Sequence, residues 1–131
     1  MTKIVYSACY GGFGLSEAGM RLYAEKKGLP FFVWKDPEYK SDMFKMYFTV
    51  DPSGMTEIDS KFYSKYILYD HDMDRTDPVL VGVVEELGDK ANGWCARLRI
   101  EMLDPGTCYR ITEYDGFESV ETQDTIDWKI A

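Results

Sequence analysis

Cysteine is scarce in this chain: Cys9, Cys95 and Cys108 are the only three among 131 residues. So small and odd a number argues against a disulfide framework and for a reducing compartment. His71 is the only histidine, which leaves one imidazole to serve as the base of any Cys–His pair. No stretch approaches the roughly 18 apolar residues needed to span a bilayer. Met1–Lys3 leads straight into the first apolar run, with no basic segment, long apolar segment or small-residue cleavage site before it. A cytoplasmic protein without a membrane partner is expected. Positive charge is also short. The net charge is −8, with local balances of +3 over residues 1–35, −7 over 36–90 and −4 over 91–131. An acidic middle repels phosphate backbones and argues against nucleic-acid binding, while suiting a protein that docks on a basic surface. The same charge also serves plain solubility.

What is present is a good core former. Hydrophobic residues make up 45% of the chain and aromatics 15%, so one globular domain over 1–131 is expected to fold without metal or disulfide staples. Lys3–Tyr10 reads as a strand, Ser16 as the cap of a helix ending at Gly28-Leu29-Pro30, and Phe31–Trp34 as a second strand. Leu15, Ala18, Gly19 and Leu22 share one face of that helix. Strand, helix and strand in about thirty residues predict a β-α-β unit with a right-handed crossover. Lys45–Val50 and Tyr66–Tyr69 read as strands flanking a short helix over Thr56–Ser64. Half of the ten tyrosines (39, 47, 63, 66 and 69) fall in this middle segment, with Phe44, Phe48 and Phe62. Such density marks a core or interface, or more specifically a floor for a stacked base.

The clearest helix starts at Asp77-Pro78, buries Leu80, Val83, Val84 and Leu87, and is expected to stop at Asn92-Gly93. Period-two alternation over Trp94–Leu103 then places Trp94, Ala96, Leu98, Ile100 and Met102 on one face. Further strands are expected at Cys108–Tyr114, at Phe117–Thr122 across an Asp115-Gly116 turn, and at Thr125–Ile130. The expected class is α+β: an N-terminal β-α-β unit and a second helix packed on a C-terminal antiparallel β-meander.

Chemistry has few places to reside. The glycine-rich turn Cys9–Gly14, between a strand and a helix N-terminus, has the form of an anion site. It lacks the Lys-Ser/Thr pair of a P-loop, since Leu15-Ser16 stands there, and counting from Gly12 it has Glu17 where a dinucleotide fingerprint has its third glycine. Cys9 could be a nucleophile, but Leu15 occupies the arginine position of a C-x5-R phosphatase loop. Asp70, Asp72 and Asp74 resemble the start of a calcium loop that Arg75 and Val81 then break; a cap for the following helix is the simpler reading, and neither cofactor nor metal is expected. Arg97, Arg99 and Arg110 could share one sheet face and receive phosphates, or pair with Glu101, Glu113 and Glu118.

Three segments, YSACYGGFGLS, RTDPVLVGVVEELGDKANG and ITEYDGFESV, cover about a third of the chain. They resemble segments of small, mostly uncharacterised proteins encoded by phages and prophages. The resemblance implies a phage accessory role in the host cytoplasm and supplies no activity or site residues. Gene context suggests, by analogy, action against host defence. The expected function is therefore non-enzymatic capture of a small nucleotide-like anion. Gly11, Gly12 and Gly14 would supply amides, Arg21, Arg97 and Arg99 charge, and Tyr10 or Phe13 a stacking face. The alternatives are an acidic, DNA-mimic-like inhibitor of a host defence protein and a small Cys9 enzyme. A homo-oligomer is left open.

Overall fold

A computed structural model of the chain describes residues 1–37 and 45–123. In chain order its elements are β1 (Thr2–Ser7), α1 (Glu17–Lys27), β2 (Phe32–Lys35), β3 (Lys45–Phe48), α2 (Ser60–Tyr66), α3 (Pro78–Leu87), β4 (Leu98–Leu103), β5 (Tyr109–Tyr114) and β6 (Phe117–Thr122). Short 3-10 turns cover Asp70–Asp72 and Gly88–Ala91. The fold is α+β, with strands in antiparallel pairs β1–β4, β2–β3 and β5–β6. Among the described residues no helix is long and apolar enough to cross a membrane.

The helix ends follow local chemistry. The Ser16 hydroxyl accepts from the Gly19 amide at 3.1 Å and starts α1, and Gly28 closes it in the left-handed conformation at φ 69°. Asp77 accepts from the Val79 amide at 2.9 Å and Pro78 takes the first turn of α3. This helix stops at Gly88, four residues before the expected Asn92-Gly93, because Gly88 already takes φ 57° and the chain tightens into a 3-10 turn. The helix expected at Thr56–Ser64 stands at Ser60–Tyr66 as α2, starting four residues later because Asp59 is its cap.

Within the α+β class the strand pairing differs from the one expected. The β1-α1-β2 order is present, but β1 and β2 do not pair. β1 runs antiparallel to β4 with Thr2 opposite Leu103 and Ser7 opposite Leu98, and β2 turns back onto β3. The β2–β3 connection closes a shorter loop than a return to β1 would. At the C-terminal end β5 and β6 form the expected tight hairpin, with Asp115 and Gly116 both at positive φ. The expected strand at Thr125–Ile130, Tyr39 and Phe44 lie outside the described residues.

The main core gathers Val5 of β1, Met20 and Tyr23 of α1, Leu80, Val81, Val83 and Val84 of α3, and Leu98 of β4, with Phe13 and Leu15 of the intervening loop. Each such aliphatic side chain contributes roughly 1.5–3 kcal/mol by burial. α1 presents Gly19, Met20, Tyr23 and Ala24 inward, and Ala18 is exposed. The expected face is rotated because Gly19 sits against the Ala91 carbonyl, where a Cβ would already stand at 3.4 Å. A satellite cluster under β2–β3 centres on Phe48, fully buried, and Phe62, with ring centroids 5.2 Å apart. Tyr66–Tyr69 forms no separate strand; Ile67 makes one bridge to Phe48.

Candidate functional site

β1 has one edge on β4. The amides of Val5 and Ser7, two residues apart, both point away from it, as alternation in an antiparallel strand requires. The Val5 amide donates to the Arg75 carbonyl at 2.8 Å, and the Ser7 amide to Glu118 Oε1 at 2.8 Å. Glu118 comes from β6 and is buried. It also takes a two-pronged ion pair from Arg75, with Nη1 at 2.7 Å from Oε1 and Nη2 at 2.9 Å from Oε2. The Arg75 guanidinium lies over the Phe13 ring, 3.6 Å from its centroid. A side-chain carboxylate thus closes a strand edge that would otherwise be open to another chain.

The glycine-rich loop rests on this floor. The Gly12 carbonyl accepts from the Ser7 hydroxyl at 2.9 Å, and the Gly12 amide donates to the Cys9 carbonyl at 3.2 Å. The Leu15 amide donates to Asp70 Oδ2 at 2.9 Å. The protein's own carboxylate therefore occupies this donor at the start of α1. Two other loops press against the backbone. A Cβ on Gly11 would collide with Cys95, one on Gly93 with the backbone of Gly14, and one on Gly116 with the Tyr10 carbonyl. Glycine is needed at these positions for close approach, and at Gly116 also for φ 89°. Residues of 7–15, 75–93 and 116–118 thus meet here.

The expected ligand residues have different surroundings. Phe13 is buried, one face covered by Arg75 and its ring meeting His71 edge-on, so it has no open face for stacking. Arg21 pairs with Glu17 at 3.7 Å and lies over Phe31. Arg99 pairs with Asp89 at 3.3 Å and donates to the Leu98 carbonyl at 2.7 Å. Arg97 is exposed and anchored by its backbone: its amide donates to the Ser7 hydroxyl, and its carbonyl accepts from Ala8. Arg110 lies on β5, in a different strand pair from Arg97 and Arg99, and pairs with Glu121 at 2.9 Å. Cys9 is half-buried, and among the described residues His71 meets Asp70, Phe13 and Tyr69.

Tyr10 is 64% exposed, with its ring 5.2 Å from Phe117. Trp94, between Gly93 and Cys95, is 77% exposed, and Tyr114 at the hairpin tip 78%. The alternation expected from Trp94 onward fails because Gly93 is bonded to the Gly14 carbonyl and Cys95 is left-handed at φ 58°. β4 begins only at Leu98. The rim thus carries three large aromatics on backbones that touch the glycine loop. No protein-family model matches the chain, and no curated protein or solved structure matches it significantly. Exposed acids flank the same region: Asp72 and Asp74 on the loop leading to Arg75, and Glu113 and Asp115 at the hairpin. Sequence reasoning singled out Tyr10 but missed Trp94 and Tyr114; the available signal was their position beside Gly93 and Asp115-Gly116.

Proposed function

We propose that the protein acts by binding, without catalysis, and that its aromatic rim docks on a basic protein partner. In the setting the resemblance implies, that partner belongs to a host defence and the chain is a phage accessory inhibitor. The observation that carries this reading is the exposure of Tyr10, Trp94 and Tyr114 around a floor that is locked beneath them. Large aromatics dominate the energetics of protein interfaces, and a rigid base lowers the entropy cost of presenting them. The acids beside them and the net charge of −8 select for a basic surface.

Affinity capture with the purified chain tests it. A partner held by the wild type should be lost with Trp94→Ala combined with Tyr114→Ala, and should dissociate as salt rises. Capture that ignores both substitutions refutes the rim. Capture of nucleotide-like anions is a separate reading, supported by exposed Arg97 and Tyr10 beside the loop. It predicts that nucleotides, cyclic ones included, raise the melting temperature by mass action, and an unmoved melting temperature counts against it.

A further inference from the structure

A cleft lies between α1, β3 and α2. It encloses about 190 Å³ and is lined by Tyr47, Tyr63, Tyr69, Asp70 and Lys45, with Met20 at its base. We infer that this cleft receives a single cationic side chain, a lysine or arginine of the partner.

Its size comes first. Small-molecule sites run from roughly 300 to 1,000 Å³, so this cleft suits one side chain better than a whole nucleotide. Its walls come second. Tyrosine faces carry negative quadrupoles that attract ammonium and guanidinium groups, more strongly when water is partly excluded. Three tyrosines on three elements line the space beside Met46, Ile67 and Leu68: Tyr63 on α2, Tyr47 on β3 with one face stacked on Phe31, and Tyr69 on the loop after α2 with one face stacked on His71.

The charges decide the sign. Lys45 is engaged by Glu17 at 3.3 Å. The Asp70 side chain is only 18% exposed; Oδ2 takes the Leu15 amide, and Oδ1 lies 3.7 Å from His71, a partner only when that ring is protonated. Asp70 thus has no permanent cation beside it among the described residues. The Tyr47 phenol is pushed above its ordinary pKa by burial, then by Glu17 and Asp70, against an opposing pull from Arg21. Glu17 is itself paired with Lys45 and Arg21, so Asp70 is the carboxylate at the cleft left to meet an incoming cation.

The identity of the occupant rests on the basic-partner reading; the cleft can be tested without it. Three blocked amino acids, the N-acetyl methylamides of lysine, arginine and the neutral norleucine, would be titrated into the full chain while the tyrosine ring resonances are followed by NMR. Saturable shifts at Tyr47, Tyr63 and Tyr69 are expected with lysine or arginine but not norleucine. Tyr63→Leu should weaken binding roughly 3- to 30-fold, the range of one cation–π contact. Asp70→Asn, which keeps an oxygen for the Leu15 amide, should abolish saturation. Equal responses to all three compounds, or none to any, overturn the proposal; should Asp70→Asn fail to fold, Tyr63→Leu decides. If the cleft binds lysine while rim substitutions leave capture intact, the rim reading fails and the cleft stands.

Discussion

The floor and the rim of the glycine loop are built from neighbouring residues and obey opposite rules. In the floor, Glu118 accepts from the Ser7 amide and both Arg75 terminal nitrogens, and Phe13 lies flat under the guanidinium. Among the described residues no buried side-chain nitrogen or oxygen lacks a partner. In the rim, Tyr10, Trp94 and Tyr114 spend most of their surface on water. Polar groups are buried where apolar ones would serve, and apolar groups are exposed a few residues away. A chain under selection for stability alone would do the reverse. The pairing of a rigid polar base with an open aromatic face is what a presentation surface needs, since the base fixes direction and the face supplies contact area.

Breaking the floor should have the largest effect. Glu118→Ala leaves the Arg75 charge and the Ser7 amide unpaired near the core, at a cost of about 3–5 kcal/mol, read as a lower denaturant midpoint. The Arg75→Met and Glu118→Leu double substitution should recover much of that loss, because no charge is then stranded. If the single and double substitutions cost the same, the ion pair is not what holds the floor.

Next come the close approaches. Gly116→Ala puts a Cβ into the Tyr10 carbonyl and forces an L-residue to φ 89°, which together should cost about 2–4 kcal/mol. Gly82→Ala is the contrast. Gly82 lies inside α3 with open space around its Cβ position, and the change should stabilise by about 0.5–1 kcal/mol. Equal effects at the two sites would mean that the loop's glycines are not there for packing.

An ionic cluster with solvent access calibrates the scale below this. Burial alone would raise the Asp77 carboxyl, but the Lys27 ammonium at 2.9 Å, the Val79 amide and the Tyr23 hydroxyl outweigh it and hold its pKa below the ordinary value. Asp74, hydrogen-bonded by the amide and hydroxyl of Thr76, is lowered too. A lowered carboxyl contributes stability that is fully present above its unfolded pKa of about 4 and is lost as pH falls through the folded value. The wild type should therefore weaken on acidification below about pH 4. Asp77→Ala should cost about 1 kcal/mol at neutral pH through loss of the cap, and should flatten that acid slope. An unchanged slope would remove Asp77 from the acid response.

Local signals in the sequence were legible and distant ones were not. Ser16, Gly28, Asp77-Pro78 and Asp115-Gly116 act on neighbours within a turn, and the structure uses each as its chemistry suggests. The partner of β1 lies more than ninety residues away, and nothing in Lys3–Tyr10 distinguishes β4 from β2. In the sequence Arg75 reads as the residue that breaks a calcium loop and Glu118 as a partner for Arg97, Arg99 or Arg110, because sequence does not say which charges meet. Trp94 illustrates the same limit. Its alternation with Ala96 and Leu98 is real, but Gly93 is pinned to Gly14, a contact that only the assembled loop reveals.

The smallest expected change in stability is at the rim. Substituting Tyr10, Trp94 or Tyr114 by alanine removes side chains that are already mostly in water, so each should shift stability by no more than about 0.5 kcal/mol. Tyr10 should sit at the top of that range, since among the described residues it is the one of the three with a ring neighbour, Phe117. The informative result is the contrast with Glu118→Ala measured in the same denaturation series. If Trp94→Ala costs as much as the buried ion pair, the tryptophan supports the fold, and its exposure no longer argues for a partner. If it costs nothing while partner capture is lost, the energy of those side chains is spent on binding, and floor and rim are separable functions of one loop.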